Sequence, residues 1–367
     1  MRTPSTRVVR STSGLGGRIH DNRCRPHTAS AGNGRMTRIL VAGGAGFIGS
    51  HLCRSLLNDG HDVVCIDNLS TSTRASIREL ENLSKFKFIQ ADVSHATSIA
   101  VARLAPIDAI VHLASPASPV DYARFPLRTM AANSLGTWWL LDVARDTGAS
   151  MVFVSTSEVY GDPLEHPQAE TYWGNVDPTG PRSSYDESKR FGEALVFSAR
   201  KAYGVRANVV RLFNTYGPGM RPDDGRAIPA MIGAAIQGSP VLVHGDGLQT
   251  RSFCYVSDLV TGLRHVLLDS DLDGEILNIG NPTEVTVREL AEMILRLVGS
   301  EGGLRFVDSR PGDPRRRQPV ISRMTHRYGW EPRVGLEEGL TRTLRAAGIG
   351  LAKGRAVEGR AYVSTGW

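Results

Sequence analysis

The 367-residue chain predicts an α/β fold, a doubly wound parallel sheet with a smaller interleaved α+β lobe. Three observations predict it. A strand, a tight glycine turn, a helix and a second strand follow one another over 38–66. Six short apolar runs recur at 38–42, 62–66, 86–91, 108–113, 151–155 and 207–213, each of strand length and bounded by polar or turn residues. After Pro218 the rhythm changes: loops lengthen, and Pro and Gly punctuate shorter helices.

In order, RILVA (38–42) reads as a buried strand and 47–59 as an amphipathic helix. DVVCI (62–66) and FKFIQA (86–91) give the second and third strands, and the fourth spans 108–113. MVFVS (151–155) and ANVVRLF (207–213) give the fifth and sixth, with helical stretches near 125–147 and 183–204 between the later ones. Short apolar strands alternating with helices belong in a parallel sheet covered on both faces. Later helices are expected near 226–238, 286–299 and 336–347. The expected division is 37–215 for the nucleotide-binding unit, with part of 240–282 returning to it, and 216–345 mainly for a substrate lobe. Residues 1–36 are expected to be a disordered basic extension preceding a functional start at Met36, and 346–367 a loose tail.

Composition narrows the function classes. The chain is 41% hydrophobic, too apolar for disorder, and no run of 18 apolar residues could span a bilayer. Cys24, Cys53, Cys65 and Cys254 are widely spaced without a CxxC pair, which argues against a disulfide framework or zinc knuckle and for a reduced, cytoplasmic setting. The first 36 residues hold seven Arg against one acid, Asp21, and so carry the whole net charge of +6. The remainder is neutral overall and gives no signal for nucleic acid or membrane.

The turn Gly43-Gly44-Ala45-Gly46-Phe47-Ile48-Gly49 carries the first chemistry. Gly43 permits the turn, Gly46 lets backbone approach a pyrophosphate, and Gly49 lets helix and strand pack closely. The helix N-terminus offers unpaired N–H groups to phosphates. Asp67 ends the second strand 18 residues past Gly49, where a carboxylate bonds ribose hydroxyls and repels a 2′-phosphate, so NAD is expected over NADP. This is a dinucleotide-binding (Rossmann) pattern. Asp92 either contacts adenine or caps a strand end. Phe47, Ile48, Asn68, Val93, Leu113 and Ser115 complete the expected cofactor set, together with Tyr185 and Lys189. No metal is expected.

Tyr185 and Lys189 lie at i and i+4 on a predicted helix, on one face. Tyrosine is a poor base at its free pKa of about 10. A neighbouring ammonium favours the phenolate, and the same Lys can hold ribose hydroxyls. Thr156, in Ser155-Thr156-Ser157 at a strand end, is then the hydroxyl bridging substrate and tyrosine.

With these residues in view, the chain resembles the extended short-chain dehydrogenase/reductase family that acts on nucleotide sugars, and within it the branch that decarboxylates UDP-glucuronate. The segments that carry the likeness are GGAGFIGSHL (43–52), VHLASPASPVDY (111–122), STSEVYGDPLEHPQAETYWGNVDPTGPRSSYDESKR (155–190), RLFNTYGPGMRPDDGRAIP (211–229), TRSFCYVSDLV (250–260) and YGWEP (328–332). The resemblance implies Tyr185 as catalytic base with Lys189 as its partner. It implies Thr156, Ser157 and Glu158 beside the reacting sugar, and Arg251 next to the sugar carboxylate. Arg226 and Asn214 would contact the nucleotide diphosphate, and Asn133 would be structural or on the cofactor side. It further implies a 4-keto sugar intermediate, NAD recycled in place, a UDP-sugar substrate and a homodimer. Dehydratases of the family usually carry an Asp where Ser157 stands, and epimerases usually lack an acid at Glu158. The alternatives are a dTDP-glucose 4,6-dehydratase-type or 4-epimerase-type enzyme, or a non-catalytic regulator on the same fold.

Other residues draw notice. His51 and His112 are expected to be structural, and Cys254 a buried small apolar group. The run Arg315-Arg316-Arg317 either grips a phosphate or is a solvated charge cluster. Trp138-Trp139 suggests a large apolar helix face, and with the helix of Tyr185 a dimer surface.

Overall fold

The computed structural model describes residues 37–100, 106–309 and 314–351; the expectation for 1–36, and that for 346–367 beyond 351, lie outside the described residues, while within 346–351 Ala346 ends a helix and Ile349 and Leu351 pack against the core rather than forming a loose tail. Its strands are β1 (Arg38–Ala42), β2 (Asp62–Asp67), β3 (Phe86–Gln90), β4 (Ala109–His112), β5 (Ser150–Thr156), β6 (Ala207–Leu212), β7 (Thr215–Tyr216), β8 (Val241–His244), β9 (Thr250–Ser252), β10 (Cys254–Tyr255), β11 (Ile276–Ile279), β12 (Glu284–Thr286) and β13 (Leu304–Val307). Its helices are α1 (Phe47–Asn58), α2 (Ala96–Ala100), α3 (Pro119–Arg124), α4 (Pro126–Asn133), α5 (Leu135–Thr147), α6 (Ser183–Tyr203), α7 (Ala227–Ile236), α8 (Val256–Leu267), α9 (Val287–Val298), α10 (Ser322–Tyr328) and α11 (Leu336–Ala346).

Seven strands form one sheet in the order β3-β2-β1-β4-β5-β6-β11. Every neighbouring pair is parallel. The central strands are buried on both faces, which is why they read as unbroken apolar runs. Leu52 and Leu56 of α1 pack with Leu259 and Leu263 of α8 in one core, and Leu140 and Val143 of α5 pack with Val196 and Ala199 of α6 in another. Strand order reverses between β1 and β4, so a crevice opens at the carboxyl ends of these strands. The shorter pairs β7–β10, β8–β13 and β9–β12 lie outside this sheet, and only the last is antiparallel.

The helical stretch near 125–147 is two helices, α4 and α5, preceded by a third, α3. Pro119 and Pro126 each occupy a first-turn position, where a missing N–H does no harm but where a preceding helix cannot run through. Trp138 and Trp139 part company: Trp138 is 51% exposed, whereas Trp139 packs against the second core. With Leu127, Met130 and Leu135, also exposed, and Phe191 of α6, Trp138 gives an apolar surface.

Candidate active site

At the carboxyl ends of the strands a cleft of about 1130 Å³ opens, lined from the glycine turn across to β8 and Arg305. Gly43 adopts φ +82°, and a Cβ there would stand 2.6 Å from the Ala114 amide nitrogen. A Cβ on Gly49 would be driven into the Gly43 carbonyl oxygen, so the first turn of α1 lies directly against the β1 turn. Gly46 caps α1 without any side-chain hydrogen bond, which leaves first-turn N–H groups free for an anion. This cradle fits a dinucleotide pyrophosphate. Gly49→Ala is therefore expected to separate α1 from the turn and abolish copurifying nucleotide, read as the absorbance released on denaturation.

Of the expected cofactor residues, Gly43, Gly46, Phe47, Ile48, Gly49, Leu113, Ser115, Tyr185 and Lys189 line the cleft. Asp67, Asn68, Asp92 and Val93 do not. Asp67 accepts from the Ala45 amide (3.0 Å), the Leu69 amide (2.8 Å) and the Ser72 hydroxyl (3.0 Å), so it braces the glycine turn from below. Its burial raises its pKa against those bonds. Asp92 accepts from Asn68 Nδ2 (2.8 Å) and from the amide and hydroxyl of Ser94, as a strand-end cap does. Val93 lies 2.8 Å from where a Gly136 Cβ would be. Thr71, Ser72, Thr73 and Ser76 line this end of the cleft instead.

Thr156 ends β5, and Glu158 follows in a single 3₁₀ turn, so both point to the crevice. Thr156 Oγ1 accepts from the Glu158 amide (3.2 Å) and shares a hydrogen bond with the Tyr185 hydroxyl. The Tyr122 ring stacks on Tyr185, centroids 5.3 Å apart and ring planes within 10° of parallel. Lys189 donates to the Val154 carbonyl (2.7 Å), with Nζ 6.0 Å from the Tyr185 ring centroid. Burial lowers the Lys189 pKa to about 7. The Tyr185 pKa is raised, burial outweighing the Thr156 bond. Lys189 thus bonds a carbonyl rather than the phenol, and burial opposes the phenolate that the neighbouring lysine was expected to favour. Behind the site, Glu193 accepts from Ser155 Oγ (2.6 Å) and from both Nε and Nη2 of Arg211, which locks β5 and β6 to α6.

Glu158 sits among arginines. Arg182 Nη2 is 2.5 Å and Arg317 Nη2 3.4 Å from its Oε2. Burial opposes its charge, but Arg317, Arg182 and Arg251 outweigh it and hold the carboxyl below its ordinary range. Asp186, one helical turn from Arg182, is raised to about 7 by burial and by Glu158. Arg251 lines the cleft and donates to the Thr250 carbonyl (2.8 Å). Asn214 and Arg226 also line it, Arg226 being paired with Asp224 at 2.6 Å.

Arg317, Arg182 and Asp186 are the site residues that sequence reasoning missed. The triplet at 315–317 divides: Arg315 and Arg316 are exposed, as a solvated cluster would be, whereas Arg317 is buried, lines the cleft and donates to the carbonyls of Ser157 and Gly161. Pairing of Gln318 and Val320 with Gln168 drives it inward, and no local pattern distinguishes it from its two neighbours. Arg182 and Asp186 did carry a signal, opposite charges at i and i+4 across the start of the Tyr185 helix. His51 lines the cleft with Nε2 2.8 Å from the Pro218 carbonyl oxygen, and His112 is buried in its strand, where burial lowers its pKa to about 3. Cys254 is buried. Asn133 donates to Ser188 Oγ (3.0 Å), tying α4 to α6. Among the described residues no group of three or more His, Cys, Asp or Glu is placed to hold a metal, and no helix is long and apolar enough to cross a membrane.

A doubly wound sheet whose glycine turn shares one cleft with a Thr–Tyr–Lys set has the architecture of a Rossmann-type dinucleotide-binding protein. The chain belongs to the NAD dependent epimerase/dehydratase family, the extended short-chain dehydrogenases/reductases, whose family model matches residues 39–280. It is 46% identical over 304 residues to UDP-glucuronic acid decarboxylase 6 of Arabidopsis thaliana, covering 83% of this chain and 86% of that protein. It is 45% identical over 307 residues to UDP-glucuronic acid decarboxylase 1 of Xenopus tropicalis, covering 84% and 71%. Among solved structures, it is similar to UDP-glucuronic acid 4-epimerase from Bacillus cereus in complex with UDP-glucuronic acid and NAD (TM-score 0.75, 30% identity, 84% of this chain and 98% of that one). It is similar also to dTDP-glucose 4,6-dehydratase from Streptomyces venezuelae with NAD bound (TM-score 0.77, 30% identity, 84% and 96%).

Proposed function

We propose that this chain is an NAD-dependent decarboxylase that converts UDP-glucuronate to UDP-xylose through a UDP-4-keto sugar. The observation that carries the reading is the charged Glu158 held among Arg182, Arg251 and Arg317, beside Thr156 and Tyr185. A 4,6-dehydratase needs a carboxylic acid to protonate a leaving hydroxyl. Here Ser157 has none to give, and Glu158 is kept ionised. The names of the relatives reported above support the same choice.

The glycine turn would hold the pyrophosphate of NAD, with Asp67 bracing the turn and Lys189 and Tyr185 at the nicotinamide end. When bound, NAD supplies a hydride acceptor and a cationic ring beside the phenol. Thr156 and Tyr185 bind the C4 hydroxyl, and Tyr185 takes its proton. The sugar then carries a ketone β to its carboxylate, so the electrons of the breaking C5–C6 bond flow to the ketone oxygen as CO₂ leaves. The Tyr185 phenol donates to that developing enolate. Arg251 and Arg317 bind the carboxylate, while Glu158 repels it and favours its departure as neutral CO₂. A proton is returned to C5, and the C4 ketone would regain the hydride lent to the cofactor while the Tyr185 phenol returns the proton to its oxygen, which gives the C4 hydroxyl of UDP-xylose. Residues 37–215, with part of 240–282, would hold NAD, and 216–345 mainly the UDP group, with Asn214 and Arg226 at the diphosphate. A reduced cytoplasmic location fits the free buried Cys53, Cys65 and Cys254 and is checked by cell fractionation.

A substrate panel tests the reading. UDP-glucuronate should yield CO₂ and a UDP-pentose, with UDP-glucose and dTDP-glucose unchanged. Loss of water from dTDP-glucose, or a C4 epimer that retains the carboxylate, would replace the decarboxylase with the corresponding relative.

The apolar surface of α4, α5 and α6 would pair two copies of the chain. Trp138→Glu combined with Leu127→Glu is expected to turn a dimer into a monomer in sedimentation equilibrium. A wild-type monomer would remove this part of the reading.

A further inference from the structure

The loop after β7 does more than contribute Arg226 to the cleft. Its Arg221 sends Nη1 to the Thr71 carbonyl oxygen (2.9 Å) and Nη2 to both carboxylate oxygens of Asp121 (3.0 Å each). Thr71 lies in the loop after β2, and Asp121 in α3, after β4. In the sheet, β1 stands between β2 and β4, so these two partners flank the glycine turn that follows β1. One side chain therefore bridges the turn from one flank to the other. The same segment is pinned elsewhere. The Pro218 carbonyl oxygen meets His51 of α1, and Gly225, at φ +77°, lies so close to α3 that a Cβ would stand 2.6 Å from Val120 Cγ2. Asp121 is itself held for the task, accepting from Ser118 Oγ at 2.7 Å.

From this geometry we propose that Arg221 is the latch of a strap, residues 217–226, that closes over the dinucleotide and retains it between turnovers. The inference rests on the NAD reading above and adds the residue that governs cofactor exchange. NAD lying along the glycine turn, between Ser76 and Tyr185, which both line the cleft, would pass beneath the bonds from Arg221 to Thr71 and Asp121. It could leave only after they break. A reaction that returns its hydride each cycle has no need to exchange the cofactor, so a latch imposes no delay on turnover. The pair is partly exposed, with the Arg221 side chain at 33%, and is therefore sensitive to ionic strength.

The test measures NAD held by the purified full-length protein, and its release rate, by trapping freed nucleotide with an excess of labelled NAD. Arg221→Met is expected to speed release about tenfold, the change that follows from losing a small set of charge-assisted hydrogen bonds. Asp121→Asn should speed release less, because one acceptor and the Thr71 bond survive. The two together should do no more than Arg221→Met alone. Salt should accelerate release from the wild type and hardly at all from Arg221→Met, a response that general loosening of the fold does not give. Release from both variants at the wild-type rate, or strict additivity between them, would overturn the strap while leaving the decarboxylase standing. A wild type that holds no NAD even when supplied with it would contradict both.

Discussion

Tyr185→Phe is expected to lower kcat on UDP-glucuronate by about 10³-fold. The substitution keeps the ring, and so the stacking on Tyr122 and the packing of α6, while it removes the one oxygen that can pass a proton between Thr156 and the C4 hydroxyl. Two steps depend on that oxygen: removal of the hydroxyl proton as the ketone forms, and donation to the enolate as CO₂ leaves. Rapid-quench turnover with mass detection of ketone and pentose reports both. A variant within tenfold of the wild type would mean that another group accepts the proton.

Glu158→Gln is expected to lower kcat by about 10²-fold and to lower KM for UDP-glucuronate as well. The side chain keeps its size, but Arg182, Arg251 and Arg317 lose the charge that balances them. They would then hold the substrate carboxylate more tightly in the ground state, which raises the barrier to losing it as CO₂. Steady-state kinetics separates the two constants. A normal kcat would show that Glu158 only balances the arginines and takes no part in expelling CO₂. A raised KM with unchanged kcat would place it in binding alone.

Much of the fold is legible in the sequence because the sheet is covered on both faces. Buried parallel strands such as β1 and β5 have to be apolar throughout, and the residues between them have to be helical to cross over the sheet. The glycine turn is legible for a related reason: close approach leaves no room for a Cβ at Gly43 or Gly49, so the spacing records the geometry. Thr156, Tyr185 and Lys189 come together because one strand end and one helix face deliver them, both local properties.

What escaped is decided by partners distant in the chain. Arg317 becomes a site residue through Gln168, some 150 positions earlier. Arg221 becomes a latch through Thr71 and Asp121. Asp67 ends its strand as expected, yet its carboxylate turns to the Ala45 and Leu69 amides rather than into the cleft, because the loop after β2 folds back over it. The electrostatics were least legible. The proximity of Lys189 to Tyr185 suggests an acidic phenol, but burial acts on both groups and pushes each towards its neutral form.

The most direct measurement is incubation of the purified protein with UDP-glucuronate and no added cofactor, following CO₂ and nucleotide-sugar mass together. The account predicts a UDP-sugar lighter by CO₂ over many turnovers, sustained by NAD carried in with the protein. Retention of the carboxylate even with NAD⁺ supplied, together with loss of water from a nucleotide hexose, would contradict it.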